Sequence, residues 1–248
     1  MQTLTTGRAL RLTVRVLFIS LLFLALGGLC CFLSSRTGEG VQEAGATPRG
    51  QIVLDAGHGG ADGGAVGVNG VSEKDLNLAV TLELARLLRE AGFEVILTRT
   101  DDCLLLYEGQ DIAGHRKEND LKNRLAIAKN NPDAIFVSIH MNTFGVSKYS
   151  GLQVYYADNT ESRRLAYAVQ GAVVERLQPD NHRVPHAASS SIYLLENAVG
   201  TAVLVECGFL SNPEECALLS QKDYQARLSF SIFCGMMRYM EALEGVAP

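Results

Sequence analysis

Short unbroken apolar runs alternate with longer stripes of helical period along most of this chain. Ile52, Val53 and Leu54 form a run long enough for a buried strand, and it ends abruptly in Asp55, Gly57, His58, Gly59 and Gly60. Leu76, Leu78, Ala79, Leu82, Leu84, Ala85, Leu87 and Leu88 then make a helical stripe. Ser72 suits its N-cap, Glu73 and Asp75 its first turn, and Gly92 its stop. A strand is expected over 94–98, a polar loop over 101–118, and a helix over 121–129 that Asn130, Asn131 and Pro132 end. Strands over 135–140 and 152–156 follow, then a helix over 161–177 and a loop rich in His, Ser and Pro over 178–191. A strand over 202–206 and a helix over 224–243 complete the pattern, with no internal repeat. This alternation predicts one α/β domain with helices on both faces of its sheet.

Three of the apolar runs end in a titratable side chain. The first delivers His58, Ile135–Ile139 runs into His140, and Ala202–Val205 runs into Glu206. The carboxyl edge of an open α/β sheet is where sites form. A histidine between glycines at such an edge has an exposed ring and close backbone access, which suits a ligand or catalyst better than a packing residue.

The N-terminus has a different character. Arg8, Arg11 and Arg15 precede a run from Val16 to Leu33 that holds no charge, just long enough to cross a bilayer. Basic residues before it put the N-terminus inside and the bulk of the chain outside. A cleaved signal peptide is the alternative to an uncleaved anchor, and both export the domain. The expected division is a basic cytoplasmic tail over 1–15, the anchor or signal peptide over 16–35, a flexible linker over 36–50 and the catalytic domain over 51–243. Removing the five basic and two acidic residues of 1–50 from totals of 22 and 27 leaves 17 against 25, a domain charge near −8. So acidic a domain lacks the basic footprint that nucleic-acid binding needs. Outside the membrane pair Cys30 and Cys31, the cysteines Cys103, Cys207, Cys216 and Cys234 show no C-x-x-C spacing, which argues against a cysteine zinc site. Burial is the expected fate of Cys207 and Cys234.

His58, Glu73, His140 and Glu206 form the candidate constellation. Two imidazoles and a carboxylate suit catalytic zinc, which keeps three protein ligands and one open position. A further carboxylate nearby can move a proton between water and a leaving amine. Each residue also has a structural reading: His58 capping its own turn, Glu73 serving the helix dipole, His140 in the core. An unpaired Glu206 after Val203, Leu204 and Val205 would be costly to bury, so function leads there. No H-E-x-x-H helix is present, and the spacing alone does not prove zinc.

Five segments carry a resemblance: Asp55-Ala-Gly-His-Gly-Gly60, Glu73-Lys-Asp-Leu-Asn77, Leu97-Thr-Arg99, Ser138-Ile-His-Met-Asn142 and Val205-Glu-Cys-Gly-Phe-Leu-Ser-Asn-Pro213. In this order they resemble the zinc-dependent N-acetylmuramoyl-L-alanine amidases of the type-3 family, over about Gln51 to Glu241. The resemblance implies a twisted mixed β-sheet flanked by helices and one Zn2+ held by His58, Glu73 and His140. It implies Glu206 as catalytic acid/base; Asn142, at the end of one of these segments, is expected on the substrate side, and His186, in the polar loop over 178–191, is the remaining histidine expected to line the groove. The implied reaction cleaves the amide joining the lactyl group of N-acetylmuramic acid to L-alanine in peptidoglycan. Gly114–Arg124 and Ser191–Leu195 are most similar to the sporulation-specific branch, whose members act in spore-cortex maturation; a deacetylase or activator partner is left open. Helical pattern resumes almost at once after the 152–156 strand, so the autoinhibitory insertion of some septum-splitting members is expected to be absent. A zinc peptidase or a non-catalytic wall-binding module are the competing readings. Phosphate binding by the 57–67 glycines lacks a G-K-[ST] or G-x-G-x-x-G opening a helix.

Overall fold

The computed structural model describes residues 48–245, so the anchor or signal peptide and most of the linker expected before residue 51 lie outside the described residues. Six strands form one sheet: β1 (Gln51–Ala56), β2 (Glu94–Leu97), β3 (Ile135–Asn142), β4 (Gln153–Tyr156), β5 (His186–Ala187) and β6 (Ala202–Phe209). Their order is β2-β1-β3-β6-β4-β5. β2, β1, β3 and β6 run parallel; β4 is antiparallel to β6, and β5 follows β4 in parallel. The sheet is therefore mixed.

The helices are α1 (Glu73–Glu90), α2 (Arg116–Asn130), α3 (Thr160–Arg176), α4 (Tyr193–Glu196), α5 (Pro213–Leu219) and α6 (Lys222–Glu244). On one face, Leu76, Val80, Leu84 and Leu88 of α1 pack with Leu165, Val169 and Val173 of α3 and Leu228, Ile232 and Met236 of α6. The spacing of three to four residues puts each set on one helical stripe. They cover Ile52, Leu54, Val137, Ile139, Val203 and Val205 of the sheet. The other face carries a smaller cluster of Val53, Phe136 and Leu204 under Leu125, Leu194 and Leu195, from α2 and α4. Period-2 alternation thus sends neighbouring residues of β1, β3 and β6 into two different cores. Each strand is buried on both sides, which is why it reads as an unbroken apolar run.

Several elements depart from the sequence reading. α2 begins five residues before the expected 121, because its inward face is polar: Asp120, Asn123 and Arg124 are buried. β6 continues past Glu206 to Phe209, held to the chain end of β3 by the pairing of Asn142 with Phe209. The loop over 178–191 contains the short edge strand β5. α5 escaped notice although Asn212 caps it, accepting from the Glu214 and Glu215 backbone N–H groups at 3.0 Å, with Pro213 at its start. Ser72 occupies the N-cap position of α1, but its hydroxyl donates to the Gly63 carbonyl at 2.8 Å instead of capping. Only residues 157–159 separate β4 from α3, leaving no room for an inserted helix. Arg49, at the end of the expected linker, lies with its guanidinium 5.2 Å from the Phe93 ring centroid and pairs with Glu244 at 3.3 Å.

Candidate active site

The site is assembled at the carboxyl ends of β1 and β3, on the face that α2 only partly covers. His140 and Glu206 are direct neighbours across the β3–β6 ladder, so their side chains rise from the same face. His58 follows β1 in the left-handed region, with φ of 61°, a conformation that costs a non-glycine residue strain. Glu73 is the first residue of α1 and is turned inward, 4% exposed.

The side chains of His58, Glu73 and His140 converge. Glu73 Oε1 lies 3.0 Å from His140 Nδ1 and 3.3 Å from His58 Nε2. One donor atom from each residue falls within 4.8 Å of the others. Tetrahedral zinc, with bonds of about 2.0–2.2 Å, separates neighbouring ligand atoms by about 3.3 Å. The spacing and the His-His-carboxylate donor set fit one zinc ion. Glu73 is fixed further by Met141 N–H at 3.1 Å and Asn77 Nδ2 at 3.3 Å on Oε1, and by Ala65 N–H at 2.8 Å on Oε2. Burial pushes its carboxyl up, but the two histidines outweigh this and hold it far below the usual range.

Asp62 completes the His58 arrangement. Its Oδ2 lies 2.9 Å from His58 Nδ1 and 3.2 Å from Lys117 Nζ. A carboxylate on one ring nitrogen fixes the tautomer and leaves the other free toward a metal. Burial depresses the His58 pKa, yet Glu73 and Asp62 together raise it above the ordinary value. The glycines around these groups are required by close approach. A Cβ on Gly57 would fall 2.2 Å from His140 Nε2, and one on Gly64 (φ of 67°) 2.5 Å from Glu73 Oε2.

Two buried arginines hold the strained turn from behind. Arg124 donates to the carbonyls of Ala56 at 2.6 Å and His58 at 2.7 Å, and to Asp55 at 2.7 Å and Asp120 at 2.7 Å. Arg99 donates to Ala56 at 2.8 Å and Gly57 at 3.0 Å. Asp55 also accepts from Ser138 at 2.6 Å and Thr98 at 2.8 Å. Three successive carbonyls, 56 to 58, are thereby tied into the protein, and His58 keeps its unfavourable φ.

Glu206 is the unsatisfied member. Its Oε2 is buried without a hydrogen-bond partner among the described residues. Burial, with Glu73 adding to it and the two histidines opposing, pushes its pKa up to about 7. A carboxyl with that pKa both accepts and donates a proton near neutrality. Of the two residues expected on the substrate side, Asn142 lies at the end of β3 and lines a cavity of about 290 Å³ beside the site. His186 pairs with Tyr155 on the edge strand β5, two strands out from Glu206, and is exposed. Sequence reasoning did not single out Asp62, Asn77 or Arg124. Cys207, next to Glu206, is fully buried, and burial pushes its thiol pKa well up, so it is no nucleophile.

The profile of the N-acetylmuramoyl-L-alanine amidase family matches residues 52–238. The chain belongs to that family. Its reaction is the hydrolysis of the amide between N-acetylmuramic acid and L-alanine, and membership decides against the peptidase and wall-binding readings. Among relatives of this amidase, a germination-specific N-acetylmuramoyl-L-alanine amidase of Bacillus subtilis is 37% identical over 189 residues, covering 76% of this chain and 78% of the relative. The CwlD amidase of Clostridioides difficile, solved in complex with the GerS lipoprotein, is 40% identical with a TM-score of 0.74, over 78% of this chain and 99% of that one. The catalytic domain of CwlV, an amidase of Bacillus (Paenibacillus) polymyxa, is 32% identical with a TM-score of 0.64, over 77% and 98% of the two chains.

Proposed function

We propose that His58, Glu73 and His140 hold one zinc ion and that Glu206 moves the proton in amide hydrolysis on the extracytoplasmic side, in maturation of spore-cortex peptidoglycan. The observation that carries the chemistry is the pairing of a compact His-Glu-His donor set with a half-buried carboxyl whose Oε2 is buried and has no partner among the described residues. Glu206 stands beside His140 on the neighbouring strand, so one of the three ligands and the carboxylate share one rigid ladder. When bound, zinc would polarise the scissile carbonyl and lower the pKa of water to about 7. Glu206 takes a proton from the attacking water and returns it to the departing L-alanine nitrogen. Asp62 holds the His58 ring, and Asn77 with the Ala65 and Met141 amides holds Glu73. Asn142 contacts substrate at the site's edge, and His186 meets it farther out.

Likeness to the germination-specific relative supports the cortex setting. Likeness to the relative solved with a lipoprotein supports a partner of that kind. The N-terminal apolar run, as a signal or an anchor, supports export.

The test is incubation of the soluble domain with purified peptidoglycan, counting new L-alanine amino termini with chelator and after zinc repletion. Release that chelator abolishes and zinc restores is the expected result. Release unaffected by chelation would overturn the metal assignment.

A further inference from the structure

Beside the catalytic centre lies a cavity of about 290 Å³ lined by Asn142, Tyr149, Gln153, Tyr155, Phe209 and Arg183, among others. Its lining residues include strand neighbours of the site. Gln153 is the partner of Glu206 across the antiparallel β4–β6 pair, and Tyr155 is the partner of Leu204. Residues directly opposite in such a pair share a face, with Cβ atoms about 4.5–5.5 Å apart. Asn142 lies two residues past His140 on β3.

Arg183 is held in this cavity with unusual firmness for a residue on a loop. Its Nε donates to the Ser150 carbonyl at 2.8 Å and its Nη1 to Gln153 Oε1 at 3.0 Å. Its guanidinium carbon stands 4.4 Å from the centroid of the Phe209 ring and 5.8 Å from that of Tyr149. The loop beneath is pinned as well: Asn181 accepts from the Arg183 backbone N–H at 3.0 Å and donates to the Leu152 carbonyl at 2.8 Å. Yet Arg183 pairs with no carboxylate among the described residues, whereas Arg86, Arg124, Arg164 and Arg238 all do. Nη2 makes no hydrogen bond within the described residues, so one side of the planar fork is uncommitted. An immobilised, unpaired cation in a domain of charge near −8 is a prepared anion site. A fixed planar fork suits a carboxylate, which it engages bidentately.

We infer that Arg183 recognises a carboxylate of the stem peptide, the first free one beyond the scissile bond. This rests on the amidase reading. In peptidoglycan the residue after L-alanine is a D-glutamyl unit joined through its side chain, which leaves its α-carboxylate free. From the scissile nitrogen that carboxylate is about two residue lengths away, on the order of 7 Å. Arg183 is bonded to the side chain of Gln153, the cross-strand partner of Glu206, so the guanidinium stands one strand over from the carboxylate, on the side where the peptide arm leaves the scissile bond. Arg183 is thus a specificity residue: it fixes the peptide arm while the site acts on the amide.

The test uses the zinc-loaded enzyme and two disaccharide tetrapeptides that differ only in the D-glutamyl α-group, free carboxylate or amide. The wild type is expected to favour the carboxylate form by tenfold or more in kcat/KM, chiefly through KM. Arg183→Met removes this preference by losing only on the carboxylate substrate. Arg183→Lys, which keeps the charge without the fork, falls between. Equal loss on both substrates in Arg183→Met, a preference that survives it, or no preference in the wild type would each overturn the inference. Should the wild type cleave neither compound, the amidase reading is what fails. Calorimetric binding of the two compounds to Glu206→Gln, with and without Arg183→Met, then decides: an Arg183-dependent preference upholds the carboxylate site, and its absence overturns it.

Discussion

Replacing Arg124 with methionine attacks the active site from behind, without touching any residue that faces substrate. Arg124 is 1% exposed, and the change removes its bonds to Asp55, Asp120 and the carbonyls of Ala56 and His58. Breaking one partner out of a buried ion pair costs about 3–5 kcal/mol. Asp55 keeps the hydroxyls of Ser138 and Thr98, which places the cost near the lower end, at about 3 kcal/mol. For a domain of this size each kcal/mol moves Tm by about 2–4 °C, so a drop of about 6–12 °C is expected at pH 7. The pH dependence carries the sign. Burial alone would raise the Asp55 pKa, but Arg124, Ser138 and His140 outweigh it and hold it below the ordinary value. A depressed carboxyl contributes its stability above the unfolded pKa of about 3.9 and loses it as pH falls through the folded value. Without Arg124 the burial effect prevails, so the variant gains stability as its Asp55 takes up a proton. The gap in Tm should therefore narrow as pH falls from 7 toward 4.5. Thermal melts of wild type and variant across that range provide the assay. A drop under about 3 °C at pH 7, or a gap that widens toward acid, would refute the reasoning.

Asp62→Asn should keep the fold and weaken zinc binding by about 10–100-fold, since the carboxylate orients His58, a proposed ligand; competition with a chelating dye reads this, and unchanged affinity contradicts it. Gly64→Ala places a methyl 2.5 Å from Glu73 Oε2, so metal content after purification should fall sharply while secondary structure by circular dichroism stays. With Glu206 at about 7 in the absence of metal, kcat/KM should fall on the acid side as the base is protonated. A bound dication moves that limb lower, so a limb centred above about 7 would speak against Glu206 as the base. In the native protein a maleimide should label exposed Cys103 quickly and leave buried Cys207 untouched; rapid labelling of Cys207 would contradict its burial.

Much of this was readable from residue order, and the unread parts have physical causes. β1, β3 and β6 announce themselves because both faces are buried, and α1, α3 and α6 because one side of each meets an apolar core. The start of α2 stayed hidden because Arg116 to Glu118 are exposed and Asp120, the one buried residue before 121, pairs with Arg124 instead of packing on hydrocarbon. β6 was cut short at Glu206 because a charged residue normally ends a buried run, and here a strand continues beneath an active-site carboxylate. His58, His140 and Glu206 stand out as polar residues at or near the ends of apolar runs. Asp62 does not, since its meaning comes only from the fold of a glycine-rich turn. Arg124 reaches its partners Asp55 and His58 across more than 60 positions, a distance no local pattern records. Strand order, and with it the adjacency of His140 and Glu206, is a tertiary fact. Cys207 is buried as expected, whereas Cys234 is only partly so.

A division of labour is proposed between three residues that hold zinc and one that moves protons. Its most direct test is a paired measurement of zinc content and peptidoglycan amide hydrolysis on wild type, Glu206→Gln and His140→Ala. Glu206→Gln should retain about one zinc per chain and lose roughly 10²–10⁴-fold in turnover, while His140→Ala should lose both. Undiminished turnover in Glu206→Gln, or full zinc retention in His140→Ala, would contradict the account.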